Sequence, residues 1–375
     1  MPGIRPDPVV PAYGGACVAS IVPSLLSGDR ADRSWMPEPV RAASQVVLLV
    51  LDGLGWEQLQ ARADLAPTLA SMDGGPVTSV APTTTATALT SISTGLAPAE
   101  HGVVGYRIRV GSRDVLNVLR WQTAHGDART TVDPLSFQPR AVFGATSPPV
   151  VTRFEFGATG FTDAHLAGVR LHGWRLASGL AVEVRRLVLA GEPFVYAYYD
   201  GIDKVAHDRG FGEYYDAELV AADRIVADLA AVLPAGAALL VTSDHGQVQV
   251  GGAGITLAPE LSRDVDLLSG EGRFRWLHAR PGTAERLAAT AHRLYDDVAW
   301  VRTRREVIEE GWMGGVPSPE VEQRLGDVAL VPFEPVAFLD AADKGESRLV
   351  CRHGSLTTAE ALVPLVGKAA AGREG

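Results

Sequence analysis

The residues with the clearest chemical reach are acids and histidines set just after short apolar runs. QVVLLVLDGLG leads to Asp52, PFVYAYYDGID to Asp200 and Asp203, and AALLVTSDHG to Asp244 and His245. Asp203 and His207 stand at i and i+4, so on a helix they share one face at a spacing that can grip one metal ion. Asp244 and His245, adjacent in a Gly-terminated loop, can both ligate. Each signal also has a plainer reading. Asp203 and His207 could form an exposed salt bridge. Asp52 and Asp244 could make local turn hydrogen bonds, and His353, in the late Arg352-His353-Gly354, could be structural.

The segment SVAPTTTATALTSISTGLAPAEHG places a threonine cluster after Pro82 and a helical stretch running to Gly95. Locally, a threonine caps the helix and Gly95 closes it. A hydroxyl at that end also meets free backbone N–H groups and the positive pole of the helix, which stabilise an alkoxide or a bound phosphate. Seen alone, Thr83, Thr84, Thr85 and Thr87 read as capping residues.

The elements that must position these groups follow from pattern. Unbroken apolar runs such as Val46 to Leu51 and Phe194 to Tyr199, bounded by Gly or Asp, suit strands buried on both faces. Between them, residues 178 to 191 and 213 to 233 carry apolar residues at three- and four-residue spacing, as helices do. Alternation of this kind predicts a layered α/β fold with a largely parallel sheet, whose ligands bind beyond the carboxyl ends of the strands. The texture changes from about 263 to 345. RFRWLHA (273 to 279), VAWVRTR (298 to 304) and DVALVPF (327 to 333) read as strands, and 283 to 297 as a helix. The expected division is a core over 1–262, an inserted α+β subdomain over 263–345, and a final core segment over 346–375.

The order of these signals (strand-DG, PTTT-helix-TG, DxxxH, strand-SDHG, late HG) resembles the alkaline phosphatase superfamily. It is most similar to its type I phosphodiesterase/nucleotide pyrophosphatase branch, over about 45 to 260 and again from 350 to 365. The resemblance implies an α/β/α fold and two divalent metal ions, expected to be Zn2+, with Mn2+ or Fe also compatible with Asp and His ligands. It assigns Asp52, Asp244 and His245 to the metal that also binds the nucleophile, and Asp203, His207 and His353 to the second. It makes Thr85, nine residues before Thr94 of the TG motif, the nucleophile that forms a covalent phosphoryl intermediate, with Thr84 as the fallback. Where the branch carries Asn after the HG, this chain has Tyr106, a tentative substrate-binding residue. The aromatic and Asn-rich surroundings expected of the nucleophile helix are replaced by small residues. His101 reads as structural and Lys204 and Arg209 as solvated, while Asn117 and Trp121 are candidates for lining a pocket.

The expected reaction is hydrolysis of phosphodiester or pyrophosphate bonds in a small phosphate ester, with a nucleotide as one candidate. Alternatives are a phosphomonoesterase, a phosphonate hydrolase, or a noncatalytic metal-binding module. A sulfatase is disfavoured because neither Cys17 nor Cys351 lies in a CxPxR-like context. A cofactor-independent phosphoglycerate mutase is disfavoured by its usual Ser nucleophile and longer chain. The net charge of -10 argues against a nucleic-acid polymer as partner. Two dications against three carboxylates would still leave the site itself positive. Apolar runs are too short to cross a membrane, and the opening MPGIRPDPVV lacks the pattern of a signal peptide, so a cytoplasmic location is expected. The two cysteines read as structural or incidental, and the tail from Ala369 to Gly375 as expendable.

Overall fold

The computed structural model describes residues 5–27 and 33–370. Parts of the opening decapeptide and of the tail from Ala369 therefore lie outside the described residues. The chain is built on a seven-stranded sheet in the order 73–78, 362–369, 237–242, 45–51, 194–199, 149–153, 170–174. The strand Gln45–Leu51 pairs in parallel with Ala237–Thr242 on one side and Phe194–Tyr199 on the other. The strand Leu362–Ala369 is antiparallel to both its neighbours and is the one reversed strand in this sheet.

Side chains along a strand point alternately to opposite faces, so an unbroken apolar run feeds two cores at once. Val46, Leu48 and Val50, with Tyr196, Tyr198 and Leu240, pack on one face against Ala86, Ala88, Leu89 and Ile92 of the helix Thr85–Thr94. Val47, Leu49 and Leu51, with Val195, Ala197 and Leu239, face the other way. They pack against the helices Ser178–Leu189 and Glu213–Val232 through residues such as Val184, Leu219 and Val226. The result is the expected α/β/α layering. The nucleophile-candidate helix lies on one side, and the two helices read from their periodicity lie on the other.

Residues Val265–Glu271, Phe274–Ala279, Val328–Pro332 and Ala299–Thr303 form a separate four-stranded antiparallel sheet, in that order. Its first strand escaped the sequence reading because VDLLSGE mixes acids, Ser and Gly with its leucines. One face is covered by the helix Ala284–Tyr295 through Leu287, Ala291 and Tyr295. The other presents Phe274, Trp276, Trp300 and Val331 to the core that also holds the Thr85 helix. Two ion pairs tie it to later core segments: Arg273 to Glu360, both fully buried at 2.8 Å, and Arg275 to Glu346 at 2.5 Å.

Candidate functional site

Three neighbouring parallel strands end in the acids of the site. Asp52 follows the strand Gln45–Leu51, Asp244 follows Ala237–Thr242, and Asp200 follows Phe194–Tyr199 and leads into the helix Gly201–Arg209. That helix puts Asp203 and His207 on one face, with His207 Nε2 at 3.2 Å from Asp203 Oδ1. The pair faces a cleft instead of standing out in solvent. His353 follows the short strand Cys351–Arg352. It is carried to the site by a loop pinned to the threonine cluster: Thr83 N–H donates to Gly354 O, and Gly354 N–H donates to Thr83 Oγ1.

The threonines do not cap their helix. Thr84 occupies the N-cap position without a side-chain capping bond, and the Thr83 hydroxyl donates to Ser355 O. Gly95 does close the helix, in the left-handed conformation at φ 73° with its N–H on Ser91 O. Thr85, at the first helical position, turns its Oγ1 to His245 Nε2 at 3.1 Å.

Two groups of ligand-type atoms lie within 4.8 Å of one another among the described residues. These are Asp52, Asp244 and His245, and Asp203, His245 and His353. His245 is common to both groups, its ring stacked on His353 with centroids 3.6 Å apart. His207 stands against Asp203 but outside both groups. In all three histidines Nδ1 lies on a backbone carbonyl: His207 on Cys351 O at 2.7 Å, His245 on Gly246 O at 3.1 Å, His353 on Thr83 O at 2.9 Å. A carbonyl only accepts, so each Nδ1 carries the proton and each Nε2 presents its lone pair.

This donor set fits metal ions. Asp52 Oδ1 and Asp244 Oδ2 are buried with no hydrogen-bond partner. Each is 3.5 Å from His245 Nε2, which has no proton to give. Converging lone pairs in a buried pocket are costly unless a cation sits among them. The remaining oxygens are anchored. Tyr198 donates its hydroxyl to Asp52 Oδ2. Asp244 Oδ1 accepts from Gly53 N at 3.1 Å and His245 N at 3.0 Å, and Gln247 Nε2 donates to Asp203 Oδ1 at 2.9 Å. Burial, and then the Asp244 and Asp203 carboxylates, push the Asp52 carboxyl well above its usual range. Burial and the neighbouring His245 and His207 hold the His353 imidazole well below its own.

Other expectations resolve as follows. Tyr106 lines the same cleft as Thr85 and His353, accepts a hydrogen bond from Asn117 Nδ2 at 2.5 Å, and donates its backbone N–H to Glu271. Trp121 is buried with its Nε1 on Val132 O, so it backs the pocket wall without facing the site. His101 is structural: Val103 N–H donates to its Nδ1, its Nε2–H reaches Ser91 Oγ, and burial pulls its pKa down to about 3. Lys204 is half exposed, but it pairs with Asp200 and lines the site clefts. Arg209 pairs with Asp208 at the surface. Sequence reasoning missed Tyr198, Gln247 and Glu271. Tyr198 was within reach, because it lies on the same strand face as Tyr196 and close before Asp200. Glu271 comes from the unread strand.

The chain matches the model of the type I phosphodiesterase / nucleotide pyrophosphatase family over residues 46–356. No curated protein sequence matches it. Among solved structures it is similar to murine ectonucleotide pyrophosphatase / phosphodiesterase 5, with a TM-score of 0.64 and 16% identity, covering 86% of this chain and 87% of that one. An inactive variant of the murine protein in complex with AMP matches equally well. Phosphonoacetate hydrolase from Sinorhizobium meliloti, in complex with phosphonoformate, matches with a TM-score of 0.63 and 18% identity, covering 87% of this chain and 90% of that one. The chain belongs to the type I phosphodiesterase/nucleotide pyrophosphatase family, and is a phosphodiesterase/nucleotide pyrophosphatase-like metallohydrolase.

Proposed function

We propose that the enzyme hydrolyses phosphodiester or pyrophosphate bonds through Thr85 as nucleophile, with two divalent metal ions, zinc expected, at its Asp/His groups. The observation that carries this reading is the convergence of Asp52 Oδ1, Asp244 Oδ2, His245 Nε2 and the Thr85 hydroxyl on one buried point. Three protein ligands with a fourth position open to a hydroxyl is the pattern of a catalytic zinc site. Asp52, Asp244 and His245 would hold the first ion, and Asp203, His207 and His353 the second. Bound there, the ions would offset the three carboxylates, lower the pKa of the Thr85 hydroxyl and attract an anionic phosphate.

The rest falls to the chain itself. At the helix start, the Thr85 oxygen would attack the phosphorus, with the helix N–H groups available to the phosphate. Attack forms the Oγ–P bond and breaks the P–O bond to the leaving group, and water then hydrolyses the phosphoryl-threonine. Tyr106, which lines the cleft, would contact the substrate from its wall. We propose the inserted unit, 263–345, as the source of the Glu271 side of that cleft. AMP, bound by the inactive murine relative, makes a nucleotide a candidate substrate. We place the reaction in the cytoplasm, consistent with two buried, unpaired cysteines.

The test pairs metal analysis with bis-p-nitrophenyl phosphate and p-nitrophenyl phosphate assays, before and after chelation. The reading expects about two metal ions per chain and chelator-sensitive activity that favours the diester. A preference for the monoester would move the assignment to a phosphatase. Bound metal with no activity on either ester would favour a phosphonate substrate or a noncatalytic module.

A further inference from the structure

Two clefts open from Thr85, and they differ in the side chains that ring them. One carries Tyr106, Arg120, Lys204 and Arg352, with Glu271 and the apolar Leu119 and Leu349 among them. The other, of about 230 Å³, runs under the Thr85 helix and is walled by Leu89, Phe156, Phe161, Leu166, Tyr196 and Tyr198. The charged side chains that line this second cavity are Asp52, Asp200, Asp203 and Lys204. Its aromatic wall comes from residues 154–165 and the strand Phe194–Tyr199, not from the small residues of the nucleophile helix.

An imidazole lines this space beside the hydroxyl side chains of Thr152 and Tyr196. His165 is buried and stacked on Phe161, with centroids 3.9 Å apart and planes at 13°, and its Nδ1 lies 2.6 Å from Phe161 O. Nδ1 therefore carries the proton, and Nε2 is left as an acceptor on a ring whose orientation is fixed. Burial pulls its pKa down to about 4, so the ring is neutral at pH 7. The nearby hydroxyls of Thr159 and Thr162 are turned to Phe156 O at 3.4 and 2.7 Å.

We propose that this cavity holds one flat, apolar arm of the phosphate ester, and that His165 Nε2 accepts a hydrogen bond from a donor on that arm. The inference rests on the phosphoester reading above. It adds a specificity: one arm aromatic or flat and apolar with a hydrogen-bond donor, the other polar and lying in the charged cleft. An apolar, shape-limited wall supplies affinity for the arm, and the buried His165 acceptor discriminates by leaving itself unpaired when the donor is missing.

The test is an equilibrium titration, by calorimetry, of the metal-loaded Thr85→Ala protein with methylphosphonate, phenylphosphonate, and 3- and 4-hydroxyphenylphosphonate. Phenylphosphonate should bind at least about tenfold more tightly than methylphosphonate. One hydroxyphenyl isomer should gain about a further fivefold. His165→Phe on that background should erase the hydroxyl gain and keep the phenyl advantage. Leu166→Trp, which fills the cavity, should erase the phenyl advantage and leave methylphosphonate binding intact. Equal binding of methyl- and phenylphosphonate would overturn the cavity assignment. No gain from either hydroxyl isomer, or a gain that survives His165→Phe, would overturn the role of His165. Failure of all four ligands to bind would contradict the phosphoester reading itself, and the inference with it.

Discussion

The two proposed ligand sets beside Thr85 use the same residue types but are held in different ways. Asp52, Asp244 and His245 come from the ends of two adjacent strands, and their side chains are 4%, 0% and 0% exposed. Backbone amides and the Tyr198 hydroxyl fix the oxygens that do not face the site. Asp203, His207 and His353 come from a helix and a distant loop, and their side chains are 14%, 20% and 11% exposed. His353 depends on contacts from far along the chain. Thr83 holds its loop, and Glu360, itself gripped by Arg273 of the second sheet, accepts from Ser355 N–H at 3.0 Å. The sheet thus builds the first group by itself, whereas the second is assembled from two separate parts of the fold, the helix Gly201–Arg209 and the His353 loop. A metal held by the first group should be the harder to remove.

The largest expected effect lies where the first group meets Thr85, the proposed nucleophile. Thr85→Ala should cut turnover by about 10³-fold or more while metal content, measured by elemental analysis, stays near wild type. Loss of metal along with turnover would make Thr85 a ligand first. Next, His353→Ala should lower the occupancy of one of the two metals, and a chelator should strip that ion from the wild type before the other. Equal loss of both ions, or of neither, would erase the difference between the groups and the ligand allocation with it. Tyr198→Phe removes an anchor of the buried group and should cost activity about tenfold. Gln247→Leu, at the more exposed Asp203, should cost less, and a reversed order of the two would contradict the comparison.

The smallest effect concerns pH. Burial pushes the Glu271 carboxyl up to about 8, above its ordinary value. Because the folded state keeps this proton longer than the unfolded chain does, stability falls as pH rises from the usual carboxylate range toward 8. Glu271→Gln should flatten that slope in denaturant titrations at pH 5 and 8. An unchanged slope would mean that Glu271 is ionised in the folded protein.

The sequence carried the sheet centre because burial on both faces writes itself as an unbroken apolar run. Phe194–Tyr199 is read to the residue, and Val46 to Leu51 lacks only Gln45. The edge strand Arg170–Trp174 was illegible for the opposite reason: RLHGW is mostly exposed and carries no such signature. Asp52, Asp203, Asp244 and His245 could be read from their places after strands. The anchors Gln247 and Glu271, and the cavity around His165, could not be read. They depend on which distant segments fold against the site, and neither periodicity nor spacing encodes that.

On the proposed mechanism, Thr85 carries the phosphoryl group in mid-reaction. Mixing the metal-loaded enzyme with bis-p-nitrophenyl phosphate, quenching in acid within milliseconds to seconds and digesting for mass spectrometry tests it directly. The account predicts a p-nitrophenyl-phosphoryl adduct on the peptide containing Thr85, formed with a burst of one p-nitrophenolate per active site. An active enzyme whose adduct sits on another residue, or whose Thr85→Ala variant turns over at the wild-type rate, would contradict it.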